Sequence, residues 1–355
     1  MGLRGRIKRL GSTPNVLVVR NDGLGDFILT LPLIAAIKAQ RPKARVTVLA
    51  SRAMLPLVEM LPDLDAALPD EGVLLKRHRE RFSAAERKAR EAELFQAVRD
   101  GGFDAALVVY AESATARLIH RAGIALRAGP LRPFSWRFNA FFARSRKRSL
   151  HPEYTLNLGY LPLLGLEERF AQPRLRLAAV EARRGVVLHP YKRNETALSW
   201  PLERFVDLSR RLAAGGEEVT VVGDPADTPI LNSQFGGQAR VTVRTDLTLA
   251  QLMGQLAATR LFVGNSSGPL HLAALAGAPH IGLFPRNRVS APSRWRTLPV
   301  SGAPANPARY LLSPEVPREC VVCERERCPH FNCMTRIGES ALWEAMRGWG
   351  YTPPP

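Results

Sequence analysis

Residues 263–279 combine a short apolar run, a small polar turn and a helical pattern that ends at a glycine. The side-chain oxygens of Asn265, Ser266 and Ser267 can cap the helix. A turn of this kind directs backbone N–H groups and the positive end of the helix dipole at one point, which suits a phosphate. His271, one turn into the helix, can add a further donor. The motif predicts that the chain binds a nucleotide diphosphate; the alternative is an ordinary serine-rich turn before a packed histidine.

A second candidate site follows the valine-rich run 16–19, which is typical of a buried parallel strand. Gly23 and Gly25 lie in the turn after this run, and Asp26 comes next. Ile28 stands at the third glycine position of a dinucleotide fingerprint, which disfavours a nicotinamide cofactor. Asp26 can act either as a helix cap or as a general base that removes the proton of an attacking sugar hydroxyl.

A third group of polar residues follows the apolar run 186–189. Lys192 and Arg193 come just after the predicted strand end, where they can bind phosphate oxygens. The alternative is a pair of solvated loop cations.

The elements that must position these residues alternate between buried apolar runs and helical segments. Strands are predicted at 16–19, 46–50, 66–68, 105–110, 186–189, 219–222, 241–243, 261–263 and 280–284, and helices at 27–40, 84–100, 113–122, 201–214, 249–258 and 269–275. This order predicts an α/β protein of βαβ units in two blocks, with domains 1–170 and 171–355. A ligand is then expected at the carboxyl ends of the strands, in the cleft between the blocks.

Residues 131–150 interrupt this alternation because they mix aromatic and basic side chains. Two interpretations remain open. The segment is either a loop that touches an anionic lipid surface or a sugar acceptor, or an ordinary helix with an aromatic core face and a solvated basic tail.

The net charge is +18, from 50 Lys and Arg against 32 Asp and Glu. The first 165 residues carry 27 basic and 15 acidic residues, so they are the more basic part. Such a charge suits nucleic acid, an anionic membrane face or a phosphorylated acceptor. The absence of a nucleic-acid recognition motif disfavours the first. With no long apolar run and no signal sequence, we expect a cytoplasmic protein.

Four cysteines, Cys320, Cys323, Cys328 and Cys333, follow one another closely near the end of the chain. Four thiolates at such spacing can hold a structural zinc ion, and the alternative is a group of reduced thiols.

Taken in order, four motifs resemble family 9 glycosyltransferases, the bacterial ADP-heptose:lipopolysaccharide heptosyltransferases. Residues 25–32 resemble the family's Gly-Asp-x-x-x-Thr-x-Pro, and residues 263–277 resemble its Asn-Asp-Ser-Gly-x-x-His-x-Ala-Ala. Between them lies a segment that opens Leu-His-Pro at 188–190 and closes Trp-Pro at 200–201. The cysteine cluster before Met334 is similar to one found in many members.

The resemblance implies a GT-B fold, two Rossmann-like domains with parallel sheets that face a central cleft. It implies inverting transfer of a sugar from a nucleotide diphosphate, with ADP-heptose as the expected donor and no catalytic cofactor. Asp26 matches the proposed base, and Ser267, Gly268 and His271 match the donor-diphosphate loop. The first domain would then bind the acceptor, a lipopolysaccharide core or related glycan, in peripheral contact with the inner membrane, and the second would bind the nucleotide.

Two positions depart from the family pattern. Ser266 replaces the acidic residue of the second motif, and Leu198 replaces a lysine two residues before the Trp-Pro pair. We expect Lys192 or Arg193 to supply the missing positive charge. These departures leave the identity of the sugar donor open and keep a non-catalytic nucleotide-sugar-binding protein as an alternative. A nucleotide-sugar epimerase on the same architecture is a second alternative.

Overall fold

The computed structural model describes residues 2–144, 146, 149–190, 198–299, 308–313, 320, 323–324, 327–328 and 333–353. The chain divides into two compact units. The first comprises Met1–Ser149 and Glu153–Arg176, and the second comprises Leu150–Pro152 and Leu177–Pro355. In the described part of the chain, no helix is both long enough and apolar enough to cross a membrane.

The first unit is built on a parallel six-stranded sheet with the order β3-β2-β1-β4-β5-β6. Its strands are β1 (Asn15–Val19), β2 (Arg45–Ser51), β3 (Ala66–Asp70), β4 (Ala105–Val108), β5 (Leu126–Pro130) and β6 (Ala140–Phe142). Its helices are α1 (Leu3–Arg9), α2 (Leu24–Ile28), α3 (Leu31–Gln40), α4 (Leu55–Val58), α5 (Ala84–Asp100), α6 (Ser113–Arg121) and α7 (Glu153–Leu158). In the central strands, β4 and residues Val16–Val19 of β1 are fully buried, as their unbroken valine, leucine and alanine sequences predict.

Local sequence explains where the longer helices begin and end. Ser83 and Glu86 form a capping box at the start of α5, and Gly101 follows its end. Pro32 occupies the first turn of α3, where a missing N–H leaves no hydrogen bond unmade.

The second unit repeats this arrangement in a sheet with the order β12-β11-β10-β7-β8-β9, again with parallel neighbours. Its strands are β7 (Arg184–His189), β8 (Val219–Val222), β9 (Val241–Arg244), β10 (Thr259–Asn265), β11 (His280–Phe284) and β12 (Ala308–Leu312). Its helices are α8 (Leu202–Ala214), α9 (Thr228–Phe235), α10 (Leu249–Ala257), α11 (Gly268–Leu275), α12 (Pro292–Trp295) and α13 (Glu339–Arg347). Each unit has its own apolar core, and Trp343 and Met346 of α13 complete the second.

Both sheets share one topological feature. In each, the strand order reverses beside the first strand of the unit, between β1 and β4 in one and between β7 and β10 in the other. Ligands of open parallel sheets bind outside the carboxyl ends of the strands at this point. The fold therefore marks one candidate position in each unit.

Three sequence predictions of secondary structure are wrong in detail. The helix expected at 27–40 is two helices, α2 and α3, and α2 begins at Leu24, so Asp26 lies in a helix rather than in the preceding turn. For residues 131–150 the helix is the wrong alternative, because the described residues of this range contain a short 3-10 helix at Ser135–Arg137 and the edge strand β6. The strands β5, β6 and β12 were not predicted.

Candidate active site

Asp26 lies in the first turn of α2, just beyond the carboxyl end of β1. Its side chain is 27% exposed, so solvent reaches the carboxylate although protein surrounds most of it. Gly23 precedes the helix in an extended conformation, and a Cβ added there would lie 3.1 Å from Asp26 Oδ2. Glycine at position 23 therefore leaves room for this oxygen, and Gly25 follows within the first turn of α2.

Arg20, the first residue after β1, is the partner of Asp26. Its guanidinium is only 3% exposed and donates from Nη2 to Asp26 Oδ1 and from Nε to Asp22 Oδ1, the latter at 2.8 Å. Nη1 lies 3.6 Å from Glu153 Oε1. Three carboxylates thus surround one buried cation. This arrangement fixes Oδ1 of Asp26 and leaves Oδ2 beside Gly23.

A second arginine connects this cluster to α7. Arg146 donates to Glu153 from Nη1 and to Asn157 Oδ1 from Nη2, the latter at 2.8 Å. Asn157 in turn donates to the backbone carbonyl of Leu29 at 2.8 Å, at the end of α2. Hence α7 both balances the buried charge and holds the end of the helix that carries the candidate base.

The electrostatics of the cluster suit a base that works near neutral pH. Burial raises the pKa of Asp26 to about 6, although the neighbouring Arg20 cation lowers it. Burial alone would lower the pKa of Arg20, but the surrounding carboxylates of Asp22, Asp26 and Glu153 raise it. Arg20 therefore stays charged, and Asp26 can both lose and accept a proton within the working range of an enzyme.

In the second unit, Asn265 ends β10 and connects it to residues that follow β7. Its buried side chain accepts a hydrogen bond from the Trp200 backbone N–H at 2.7 Å and donates one to the Pro190 carbonyl at 2.8 Å. Trp200 is itself 1% exposed and packs edge-on against Phe205. Asn265 is thus a bridge within the fold rather than the helix cap predicted from the sequence.

Ser267 stands at the N-cap of α11 without capping it. Its Oγ donates to the Asn265 carbonyl at 3.0 Å and lies 3.3 Å from His189 Nδ1, which ends the neighbouring strand β7. Burial lowers the pKa of His189 to about 4, so the imidazole is neutral at neutral pH. The hydroxyl of Ser267 is therefore held by the carboxyl ends of β7 and β10.

The backbone at the start of α11 supplies the N–H groups that a phosphate would need. Ser266 is partly exposed, but its N–H already donates to the Leu283 carbonyl at 3.0 Å, and Pro269 has none. Ser267, Gly268 and Leu270 lie in the first turn, where N–H groups have no intrahelical acceptor. The helix start is thus able to bind an anion through three N–H groups.

His271 lies inside the fold, 3% exposed, and its Nδ1 has no hydrogen-bond partner among the described residues. Burial, with a smaller effect from His280, lowers the pKa of His271 to about 3. The side chain is therefore neutral at neutral pH and can offer a single N–H but no positive charge. His280 donates from Nδ1 to the Ala278 carbonyl at 2.8 Å, and its Nε2 lies 2.9 Å from Thr297 Oγ1.

Two groups of predicted residues add little to this picture. Lys192 and Arg193 lie outside the described residues, so their predicted contact with phosphate stays a prediction. The four cysteines Cys320, Cys323, Cys328 and Cys333 are partly buried. Within the described part of the chain no three His, Cys, Asp or Glu side chains converge to hold a metal ion, so the predicted zinc site has no support.

Sequence reasoning missed the partners of the predicted residues. Arg20 carried a usable signal, since a charged residue directly after a valine-rich strand must find a counter-charge if it is buried. Glu153 and Arg146 gave no local signal, because only the folding of α7 against α3 brings them to β1.

Known proteins with similar sequences point to one family. The model of glycosyltransferase family 9 (heptosyltransferase) matches residues 92–321. A putative glycosyltransferase of Haemophilus influenzae is 25% identical over 311 residues, which cover 80% of this chain and 86% of the relative. The lipopolysaccharide heptosyltransferase 3 of Escherichia coli is 24% identical over 282 residues, 73% of this chain and 80% of that protein.

Solved structures share the fold over almost the whole chain. A glycosyl transferase family 9 protein from Veillonella parvula has a TM-score of 0.74 at 14% identity, with 95% of this chain and 97% of that chain covered. The E. coli heptosyltransferase WaaC, solved with ADP, has a TM-score of 0.74 at 17% identity, with 94% and 99% covered.

The GT-B fold predicted from the sequence is thereby confirmed, as is the family resemblance. Family membership favours the transferase over the epimerase and the non-catalytic alternative. The chain belongs to glycosyltransferase family 9 and is a glycosyltransferase.

Proposed function

We propose that this protein transfers a heptosyl group, with inversion, from ADP-heptose to a lipopolysaccharide core acceptor. The family description, the relatives named as lipopolysaccharide heptosyltransferases and the ADP-bound E. coli structure support this donor and acceptor. The observation that carries the proposal is the position of the two candidate sites. A carboxylate lies at the switch point of the first sheet, and an anion-binding helix start lies at that of the second.

The two units divide the work in this proposal. The first, with Asp26, binds the acceptor, and the second binds the nucleotide diphosphate through the first turn of α11. Gly268 lets the diphosphate approach the backbone, and Ser266 presents a hydroxyl beside it. His271 acts as a neutral hydrogen-bond donor, since burial prevents it from carrying charge. Lys192 or Arg193 supplies the cation that balances the leaving group.

The reaction is a single displacement. Asp26 Oδ2 takes the proton of the acceptor hydroxyl while that oxygen forms a bond to the anomeric carbon. The bond from the anomeric carbon to the diphosphate breaks on the opposite face, and its electron pair leaves on the phosphate oxygen. Arg20 keeps Oδ1 in place, so that Oδ2 faces the incoming hydroxyl. Backbone N–H groups of α11 stabilise the charge that develops on the diphosphate. The step uses no catalytic cofactor.

The proposal also includes a cellular location. Because a lipopolysaccharide acceptor is anchored in lipid, we propose a cytoplasmic protein that acts at the inner face of the cytoplasmic membrane.

Replacement of the base tests the proposal. With ADP-heptose and a heptose-accepting lipopolysaccharide core, Asp26→Asn should lower kcat by about 10²–10⁴-fold, because Asn cannot accept the proton. The dissociation constant for ADP should stay within about twofold, since the nucleotide binds the second unit. Rates come from released ADP, and binding from calorimetry.

Asp63→Asn is the matched control for this experiment. Asp63 is also a buried carboxylate of the first unit, paired with Arg174 at 2.7 Å, but it lies away from the strand ends of the site. This variant should keep native kcat. If Asp26→Asn kept more than a tenth of native turnover, the assignment of the base would be wrong. If the native chain released ADP only when a sugar other than a lipopolysaccharide core was the acceptor, the proposed acceptor class would be wrong.

A further inference from the structure

One aromatic and basic segment of the first unit takes no part in the proposed mechanism. It comprises residues 126–144, which we call the edge segment, and it includes β5, the 3-10 helix at Ser135–Arg137 and the edge strand β6. Three of its large apolar side chains face solvent: Leu131 is 59% exposed, Trp136 65% and Phe141 43%. The other exposed large apolar side chains of the described residues are scattered through the chain: Leu150, Val180, Ile230 and Leu312.

These side chains are exposed although the segment around them is well packed. Phe138 is 4% exposed and lies so close to Gly129 that a Cβ there would meet its ring at 2.4 Å. Phe142, also 4% exposed, stacks on Tyr160 with ring centroids 4.7 Å apart. Buried aromatic residues therefore anchor the segment to the core, and Phe141 between them points outward. The exposed apolar surface is a fixed feature of the sheet edge.

The sequence around these exposed side chains is rich in basic residues. Between residues 113 and 152 the sequence holds nine Lys and Arg residues and no Asp or Glu. Arg144 and Arg146 are engaged by Glu168 and Glu153. Arg132 is exposed beside Leu131, and the guanidinium of Arg137 lies 4.1 Å from the centre of the Trp136 ring.

We propose that the edge segment docks the first unit on an anionic phospholipid bilayer, with Leu131, Trp136 and Phe141 in the interfacial region and Arg132 and Arg137 on the lipid phosphates. Indole rings settle at the level of the headgroups, and arginines near them gain from the negative surface potential. An apolar surface of three side chains suits shallow insertion rather than a span.

Only the purpose of the docking rests on the proposed function: docking would bring the acceptor-binding unit to a lipid-anchored acceptor. The docking itself requires no catalysis, so the two can fail separately. A dry protein interface is a poorer match, because the exposed apolar side chains number only three and Arg132 and Arg137 form no ion pair with an acid among the described residues.

The experiment is co-sedimentation of the full chain with vesicles, one set of phosphatidylglycerol and phosphatidylethanolamine and one of phosphatidylcholine alone. The native chain should bind the anionic vesicles and be released by high salt. Trp136→Ser and Leu131→Ser should each weaken binding several-fold. Arg132→Ala and Arg137→Ala should each weaken it about fivefold, the change that corresponds to about 1 kcal/mol for a basic residue at an anionic surface.

Ile230→Ser is the matched control, because Ile230 is 37% exposed and belongs to α9 of the second unit, outside the edge segment. It should bind vesicles like the native chain, and all variants should keep the native Tm. Failure of the native chain to sediment with anionic vesicles would overturn the inference, as would equal binding to phosphatidylcholine or unchanged binding by the Trp136 and Arg137 variants. Vesicle binding without any sugar transfer would instead count against the proposed function alone.

Discussion

At the scale of single residues, the proposed site combines the carboxylate of Asp26, which is proposed to accept a proton, with an arginine that binds the same group. An arginine in contact lowers the pKa of a carboxyl and would make Asp26 a weaker base. Burial acts in the opposite direction and prevails, so the pKa of Asp26 is raised to about 6. Arg20 also divides its charge among three carboxylates, which leaves less of it for Asp26. Arg20 can therefore orient Asp26, the proposed base, without preventing it from accepting a proton.

This balance predicts the pH dependence of the reaction. Asp26 works as the carboxylate, so kcat/KM should be level above pH 7 and fall about tenfold per pH unit below about pH 6. The measurement is the initial rate of ADP release with a soluble core acceptor between pH 4.5 and 8.5.

The variants of the base provide the controls for this profile. Asp26→Asn should show a low rate with no such acid limb, because Asn does not titrate, whereas Asp63→Asn should keep the limb. An acid limb centred near pH 4 in the native enzyme would show that Arg20, and not burial, sets the pKa of Asp26.

At the scale of elements, the proposed site depends on hydrogen bonds that connect the end of one strand to the segment that follows a neighbouring strand. We call such a connection a joint. Asn265 is the joint in the second unit. It lies at the end of β10, opposite Leu283 in the pairing with β11, and it bonds to two backbone groups that follow β7. Gly264 beside it pairs with His189, and a Cβ at Gly264 would meet the His189 carbonyl at 3.2 Å.

Removal of this joint should affect both stability and donor binding. Asn265→Ala leaves the Trp200 N–H and the Pro190 carbonyl without a partner, at about 1–3 kcal/mol for each buried group. We expect the free energy of unfolding in urea to fall by about 2–6 kcal/mol. We expect the dissociation constant for ADP to rise about tenfold, because the start of α11 is no longer held in position against the segment that follows β7.

Asn139→Ala is the matched control, because Asn139 makes the same kind of bridge in the first unit, from the Arg127 N–H to the Ala125 carbonyl. It should lower stability without changing the affinity for ADP. Equal loss of ADP affinity in both variants would show that general destabilisation, and not the joint at β10, weakens binding.

The sequence predicted elements well where burial and periodicity coincide. The strands at 219–222 and 280–284 and the helix at 84–100 have the bounds that the structure gives them. It missed β6, which has only three residues and whose aromatic content resembles a helix face. It placed a distortion at Pro32, in the first turn of α3, but did not divide the helix at 27–40. Asn157 of the distant helix α7 holds the break between α2 and α3 through Leu29 and Thr30.

Site residues divide in the same way. Asp26 and Ser267 stand in short motifs, so their positions at strand ends could be predicted from neighbours in the sequence. The role of Asn265 could not, because its partners Pro190 and Trp200 lie in another βαβ unit. The neutral state of His271 follows from burial, which the sequence pattern of its helix does not specify.

At the scale of the whole molecule, two sheets of one topology are built on two separate cores, and the proposed function gives each a different chemistry. Separate cores allow a ligand of one unit to stabilise that unit without ordering the other. In the proposed function the nucleotide belongs to the second unit and the acceptor to the first, so the ligands should protect different parts of the chain.

Hydrogen exchange tests this division. At about 100 times its dissociation constant, a nucleotide stabilises the state that binds it by about 2.7 kcal/mol, which slows exchange wherever amides exchange by unfolding of that unit. ADP should therefore slow exchange in peptides that cover β10 and α11, and leave those that cover β1 and α2 unchanged. A soluble core acceptor should give the reverse pattern, and Asp26→Asn should leave the ADP pattern intact. Protection of β1 and α2 by ADP alone would assign the nucleotide to the first unit and reverse the proposed roles, because a ligand stabilises the core to which it binds.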